Sequence, residues 1–153
     1  MTTYADSSAL VPIYVPERFS MAARDEIRRA GQIPFTAIHH LEVPNAFELL
    51  VGRDLMTRDE CRAIQRQLRD DLEQHRLILV SLDLDQAFVQ ASELSKAHTA
   101  KHLARSLDLL HVAAARALMC TSFVSADDRQ LAVAKASGLR AIDIKRMTRK
   151  PKH

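Results

Sequence analysis

Apolar positions along this chain follow two spacings, one suited to short buried strands and one to helices. Thr3, Tyr4 and Ala5 read as a short strand. Pro16 opens a helix predicted over 17–30, with Phe19, Ala22, Ala23, Ile27 and Ala30 at helical spacing and Gly31 as its stop. Residues 33–38 read as a buried strand. His39 and His40 then shape a turn into a helix expected from about Glu42 through Leu50, ending at Gly52. Pro44 falls in the first turn of that helix, where a missing N–H costs little.

Thr57 with Glu60 three residues on forms a capping box, and Cys61, Ile64, Leu68 and Leu72 behind it make one apolar stripe on a charged helix. Residues 77–82 are a second clear strand. Residues 83–94 are helical, with Ala87, Val89, Leu94 and Ala97 expected on the buried side. Ser106 caps a helix over 107–119 that is apolar enough to lie centrally. A short strand at 122–125, a helix from Asp127 or Asp128 to Gly138, and a last strand at 139–144 complete the pattern.

Strands that alternate with helices predict an α/β fold with a mainly parallel sheet. No repeat, linker or composition shift divides the chain, so 1–153 reads as a single domain with a short basic tail at about 145–153. The three glycines, Gly31, Gly52 and Gly138, all fall where helices end. None remains for a phosphate-cradling loop, which removes support for nucleotide-binding versions of the α/β fold.

The composition, with 47% hydrophobic and 27% charged residues among 153, is that of a globular protein able to bury a core unaided. Cys61 and Cys120 are far apart and read as thiols in a reducing compartment. No signal peptide and no membrane-spanning run is evident, so a soluble cytoplasmic protein is expected. From Arg140 onward, six basic residues face one acid, Asp143, which leaves a basic tail on a mildly acidic body. Such a tail is commonly just solvated, and it also suits a polyanionic partner.

The informative feature is where acids interrupt apolar sequence. Asp6 follows the first strand, Glu42 lies beyond the second, Asp108 sits in the first turn of the apolar helix, and Asp127 follows TSFVS. In an open parallel sheet, loops at the carboxyl ends of strands share one edge, where ligands bind. Carboxylates gathered there repel one another, and with no lysine or arginine among them a hard divalent cation such as Mg²⁺ or Mn²⁺ is the natural counter-charge. Carboxylates, metal and no nucleophilic triad point to phosphodiester hydrolysis. The competing reading is structural: Asp127 or Asp128 as a helix cap, Asp6 in a local turn, Glu42 at a helix dipole. Asp108 resists it, because Ser106 already provides a cap. Spacing alone leaves both readings open.

YADSSAL, HHLEVPNA, RSLDLLHVAAA and SFVSADDRQLAVAKASGL, in that order, resemble the successive motifs of PIN-domain proteins, from about Tyr4 to Leu139. The closest likeness is to the ribonuclease toxins of virulence-associated-protein toxin–antitoxin modules. The resemblance implies a PIN-like three-layer α/β/α sandwich with about five strands. It also implies an acidic pocket binding Mg²⁺ or Mn²⁺ and endonucleolytic cleavage of RNA. Carried over by position, Asp6, Glu42, Asp108 and Asp127 are the acidic quartet, with Asp6, Asp108 and Asp127 as metal ligands. Ser8 and Ser125 match small polar residues that orient them. Asp127 fits the family's SAD or TAD pattern better than Asp128, and Pro44 departs from it. A cognate antitoxin covering the pocket and a homodimer are further implications.

His111, three residues after Asp108, reads as a core or edge residue with the pocket in reach. His98 and His102 lack the intervening glutamate of a zinc helix. Arg62, Arg66 and Arg69 form a solvated helix face. With Arg146, Arg149 and Lys150 of the tail they could also hold an RNA backbone. Base stacking is not expected, because aromatics are only 5% of the chain. Two rival functions are an RNA-binding module of the same fold that sequesters without cutting, and a phosphatase for small esters. The intact quartet speaks against the first, and the missing aspartate-rich nucleophile motif against the second.

Overall fold

A computed structural model describes residues 1–146 of the chain. The chain starts with β1 (Thr3–Ala5) and turns at once into α1 (Ser7–Tyr14) and α2 (Ser20–Ala30). β2 (Ile33–Phe35), α3 (Ala37–Gly52), α4 (Arg58–Glu73) and β3 (Leu77–Leu79) follow. Next come α5 (Leu84–Leu94), a π-helical turn at Ser95–Thr99 and a last turn, α6 (Ala100–His102). α7 (Ser106–Ala117), β4 (Ser122–Ser125), α8 (Asp128–Ala136) and β5 (Arg140–Asp143) complete the order.

All the strand pairs are parallel. β1 pairs with β4 and β4 with β5, while β2 pairs with β3. β1 and β2 lie against each other, so the two ladders stand side by side. The two-residue alternation of strands separates the faces. Tyr4 and Phe123 point into a core built with α5, α7 and α8. Ala5 and Val124 point into a second core built with α1, α2, α3 and α4. Helices therefore cover both faces, the expected three-layer α/β/α arrangement.

Several boundaries differ from the sequence pattern, each for a local reason. α1 was not foreseen, because it is short and carries Pro12 in its interior. The second strand stops at Phe35 and α3 begins at Ala37, so Glu42 lies in the second turn of that helix and Pro44 in its interior. The early start is set by Thr36, whose hydroxyl accepts from Ile38 N at 3.2 Å, while Thr36 N–H donates to His39 Nδ1 at 2.9 Å. These two bonds satisfy helix-end donors that Glu42 was expected to serve. Val89 and Ala97, expected on the buried side of their helix, are exposed, whereas Ala87, Ala91 and Leu94 are buried. Thr57 caps α4 as predicted, accepting from Glu60 N at 3.1 Å. In α7 every residue from Leu109 to Ala115 is buried, in keeping with its apolar sequence.

Candidate active site

β1 and β4 end side by side, and the register carries on for one more bond, Asp6 N–H to Val124 O at 3.0 Å. Asp6 is thereby drawn into the floor of the sheet's carboxyl edge, with no solvent exposure. It caps α1, Oδ1 accepting from Ala9 N at 3.0 Å, so the local-turn reading holds for that atom. Two hydroxyls hold the rest of the carboxylate. Ser8 Oγ donates to Oδ1 at 2.7 Å and Ser125 Oγ donates to Oδ2 at 2.6 Å. The serines are themselves fixed, Ser8 accepting from Ala126 N and Ser125 from Asp127 N, both at 2.9 Å. Burial raises the Asp6 carboxyl to about 6, against the charge of His111 and these donors.

Asp127 is the N-cap of α8, where its Oδ1 accepts from Arg129 N at 2.8 Å and Gln130 N at 3.1 Å. Asp128, the neighbouring candidate, is exposed and turned to Lys145, whose Nζ donates to it at 2.9 Å. Asp108 also has a capping role. Ser106 is the first helical residue rather than the cap, and Asp108 Oδ2 accepts from Arg105 N at 2.9 Å. The sequence argument that a cap already stood at Ser106 is therefore corrected. Burial pushes the Asp108 carboxyl above its ordinary value; the Arg105 amide works against this, and the charges of Asp127 and Glu42 add to it. Asp108, Asp127 and Glu42 thus lie within electrostatic reach of one another.

Glu42 reaches the same place from the second turn of α3. Its Oε1 accepts from Ser7 Oγ at 2.9 Å and is hydrogen-bonded to His111 Nε2. Burial raises this carboxyl, but the bond to His111, the His111 charge and the Ser7 bond outweigh it and leave Glu42 below its ordinary value. The other face of the His111 ring meets Tyr4, with the phenol oxygen 2.7 Å from Nδ1. His39, also buried, contacts Ala5 O through Nε2 at 2.8 Å and so ties α3 to the end of β1.

The structure therefore brings Asp108 within electrostatic reach of Asp127, Glu42 and His111, and Asp6 within reach of His111, with Ser8 and Ser125 behind Asp6. Sequence reasoning missed Tyr4 and Ser7, placed His39 only as shaping the turn into α3, and set His111 aside as structural. Thr36 and His39 carry capping-box spacing, a legible signal; the roles of Tyr4 and Ser7 follow from contacts across the chain. His98 and His102 neighbour each other, with ring centroids 6.3 Å apart. Arg146 is exposed and paired with Asp143 at 3.6 Å, beside an open cleft of about 640 Å³ lined also by Arg18 and Lys145. Arg149 and Lys150 lie outside the described residues.

Among the described residues no three His, Cys, Asp or Glu side chains are gathered at metal-ligand spacing. The chemistry of the donors nonetheless fits a hard cation: they are all oxygens, and Asp6 is a fully buried carboxylate whose hydrogen bonds come from hydroxyls and a backbone amide. Mg²⁺ needs only one or two carboxylates, since it keeps several of its waters. Among the described residues no helix is long and apolar enough to cross a membrane.

The PIN domain family profile matches residues 3–136. Among solved structures, FitAcB from Neisseria gonorrhoeae is similar in fold, with a TM-score of 0.65 at 13% identity, over 94% of this chain and 98% of that one. No curated protein matches the sequence.

Proposed function

The chain belongs to the PIN-domain family, and on that footing we propose that it is the toxin of a toxin–antitoxin pair, a divalent-cation-dependent endoribonuclease acting through Asp6, Glu42, Asp108 and Asp127. The observation that carries this reading is Asp6: a fully buried carboxylate at the sheet's carboxyl edge, held by two hydroxyls. Burying such a group is costly unless function or a bound cation requires it.

Asp6, Asp108 and Asp127 are the residues that would hold Mg²⁺ or Mn²⁺. A cation there supplies charge for the scissile phosphate and lowers the pKa of an attacking water. The chain's own groups do the positioning. Ser8 and Ser125 commit their protons to Asp6 and fix the direction of its oxygens. Both cap bonds of Asp127 fall on Oδ1, so Oδ2 takes no part in the α8 cap. Arg146, with Arg149 and Lys150 beyond it, draws the RNA backbone to the acidic edge, an attraction that weakens with salt.

A partner antitoxin covers the site in this reading. A cleft of about 680 Å³ between α1 and α3 has apolar walls, including Val11, Pro12, Leu41 and Leu49, and runs to Ser7 and Glu42. An apolar segment ending in a basic residue suits both its walls and its acidic end. A second copy of the chain belongs to the same proposal, with exposed Leu79, Phe88 and Val89 as apolar surface for it.

The test is cleavage of end-labelled RNA by the purified protein in Mg²⁺, Mn²⁺ or EDTA, beside Asp6→Asn. Discrete, metal-dependent products that vanish in the variant support the nuclease. Tight, salt-dependent RNA binding without cleavage would replace it with an RNA-sequestering module.

A further inference from the structure

His111 is gripped at both nitrogens by side chains from other elements. It sits one turn beyond Asp108 on α7, buried. Nδ1 meets the Tyr4 phenol at 2.7 Å and Nε2 meets Glu42 Oε1. Ser7 Oγ, which donates to the same Glu42 oxygen, is 3.4 Å from Nε2. Tyr4 cannot move: it lies in β1 with no exposure and stacks on Phe123 of β4, centroids 5.6 Å apart and planes 11° apart. His39 packs against both, 5.1 Å from the Tyr4 ring and 5.1 Å from the His111 ring.

The order of protons follows from the partners. The Glu42 carboxylate can only accept, so Nε2 carries the proton of that bond, while the Tyr4 hydroxyl, able to donate or accept, completes the hydrogen bonding at Nδ1. Glu42 needs this hold. Its side chain is long and partly exposed, 25% by area, on a helix face where several rotamers are open to it. Asp6, Asp108 and Asp127 each accept a hydrogen bond from a nearby backbone amide; Glu42, in mid-helix, takes its bonds from the side chains of α1 and α7 instead.

We propose that His111 is a positioning residue for Glu42: Tyr4 fixes the imidazole from the sheet core, and the imidazole fixes the carboxylate at the acidic edge. Tyr4, His111 and Glu42 are then one relay, reaching from β1 through α7 to α3, that carries the rigidity of the sheet to the only quartet member without a backbone anchor among the described residues. Its catalytic consequence rests on the nuclease reading above, while its geometry does not.

Asparagine and glutamine separate the two grips. At position 111, glutamine can extend an amide N–H toward where Nε2 stood and retain the Glu42 bond while losing the one to Tyr4. Asparagine is too short to reach Glu42 and retains only the Tyr4 side. His111→Asn is expected to lower kcat for RNA cleavage by about 10–100-fold, the usual effect of removing a group that orients a functional carboxylate, with KM little changed. His111→Gln is expected to keep most of the activity. Tyr4→Phe, nearly isosteric in a packed site, is expected to lie between them, and it serves if either variant at 111 fails to fold.

Crystal structures of the metal-free variants give the readout independent of activity. Glu42 should stay against residue 111 in His111→Gln and leave it in His111→Asn. Equal losses of kcat in the two variants, in proportion to their losses in Tm, or an unmoved Glu42 in His111→Asn, would overturn the proposal and leave the nuclease standing. A wild-type protein that cuts no RNA removes the nuclease reading, and the position of Glu42 in the variants then decides the relay alone.

Discussion

Ser125 Oγ donates to Asp6 Oδ2 across 2.6 Å, a bond that joins residues 119 apart in sequence and lies fully within the protein. It exists because β1 and β4 are paired in register, Ala5 beside Val124, so that the next residue of each strand meets at the sheet edge. A buried carboxylate deprived of a donor keeps its desolvation penalty and loses its compensation. Ser125→Ala is therefore expected to destabilise the fold by about 1–3 kcal/mol and to slow RNA cleavage by about 10–100-fold. Ser125→Thr, which keeps the hydroxyl, should restore most of both. Denaturant melts and cleavage rates on the three proteins check this, and an unaffected alanine variant would remove Ser125 from the site.

Asp6 and His39 should bend the stability–pH profile in opposite directions. Burial raises Asp6 from 3.8 to about 6, so its protonated form favours the folded state; that stability is full below about pH 4 and is lost as pH rises through 6. Burial, helped by the charge of His111, lowers His39 from 6.5 to about 3, so its contribution is present above about pH 6.5 and is lost as pH falls toward 3. Each is worth on the order of 3 kcal/mol across the window between pH 7 and 4, with opposite sign. Asp6→Asn removes one of them. Its melting temperature should exceed that of the wild type at pH 7.5, and that advantage should shrink as pH falls through 6 toward 4.

Mn²⁺ provides a separate check on the acidic cluster. Ligand that binds only the folded state raises its stability by mass action. Millimolar Mn²⁺ should raise the wild-type Tm and leave that of Asp6→Asn unchanged. Equal shifts in both proteins would place the cation elsewhere.

Asp127 and Asp128 should part sharply. Asp128 is bound to Lys145 on the exposed side, whereas Asp127 lies in the field of Asp108. Asp128→Asn is expected to retain cleavage within about 2-fold, since exposed ion pairs contribute little. Asp127→Asn should reduce cleavage at least 100-fold, on the order expected for loss of a metal ligand. Asparagine keeps an oxygen for the α8 cap, so both variants should fold, as circular dichroism would show.

Arg146 should act on affinity and not on chemistry. Arg146→Ala is expected to weaken RNA binding uniformly across sequences and to reduce the slope of log K against log salt by about 1, with single-turnover cleavage at saturating protein unchanged. Fluorescence titrations from low to moderate salt would measure the slope. An unchanged slope would assign the arginine to its Asp143 pair alone.

Much of the site was legible because its signals are local. An acid directly after a buried strand lies at the sheet's carboxyl edge whatever the rest of the fold does, which is why Asp6 and Asp127 could be placed from YAD and SFVSAD. Asp108 could be placed in the first turn of an apolar helix, although its cap bond to Arg105 N was assigned to Ser106. Glu42 was recognised by motif yet set at the wrong point of its helix. Pro44 suggested a first turn, whereas Thr36 and His39 start the helix earlier.

The alternation of strands and helices, the cap at Thr57, a cap at Asp127 or Asp128, and the acids at strand ends could all be read along the chain, because each depends on neighbours within about four residues. The meeting of Tyr4, His111 and Glu42 could not be read that way. Their contacts depend on the rotation of α3 and α7 about their axes. That rotation is set by packing Val43 and Phe47 on one face of the sheet and Leu109 to Ala115 on the other. A helix carries its periodicity in its sequence but not the angle at which a distant core holds it, so a histidine that reads as ordinary core becomes the point where three elements join.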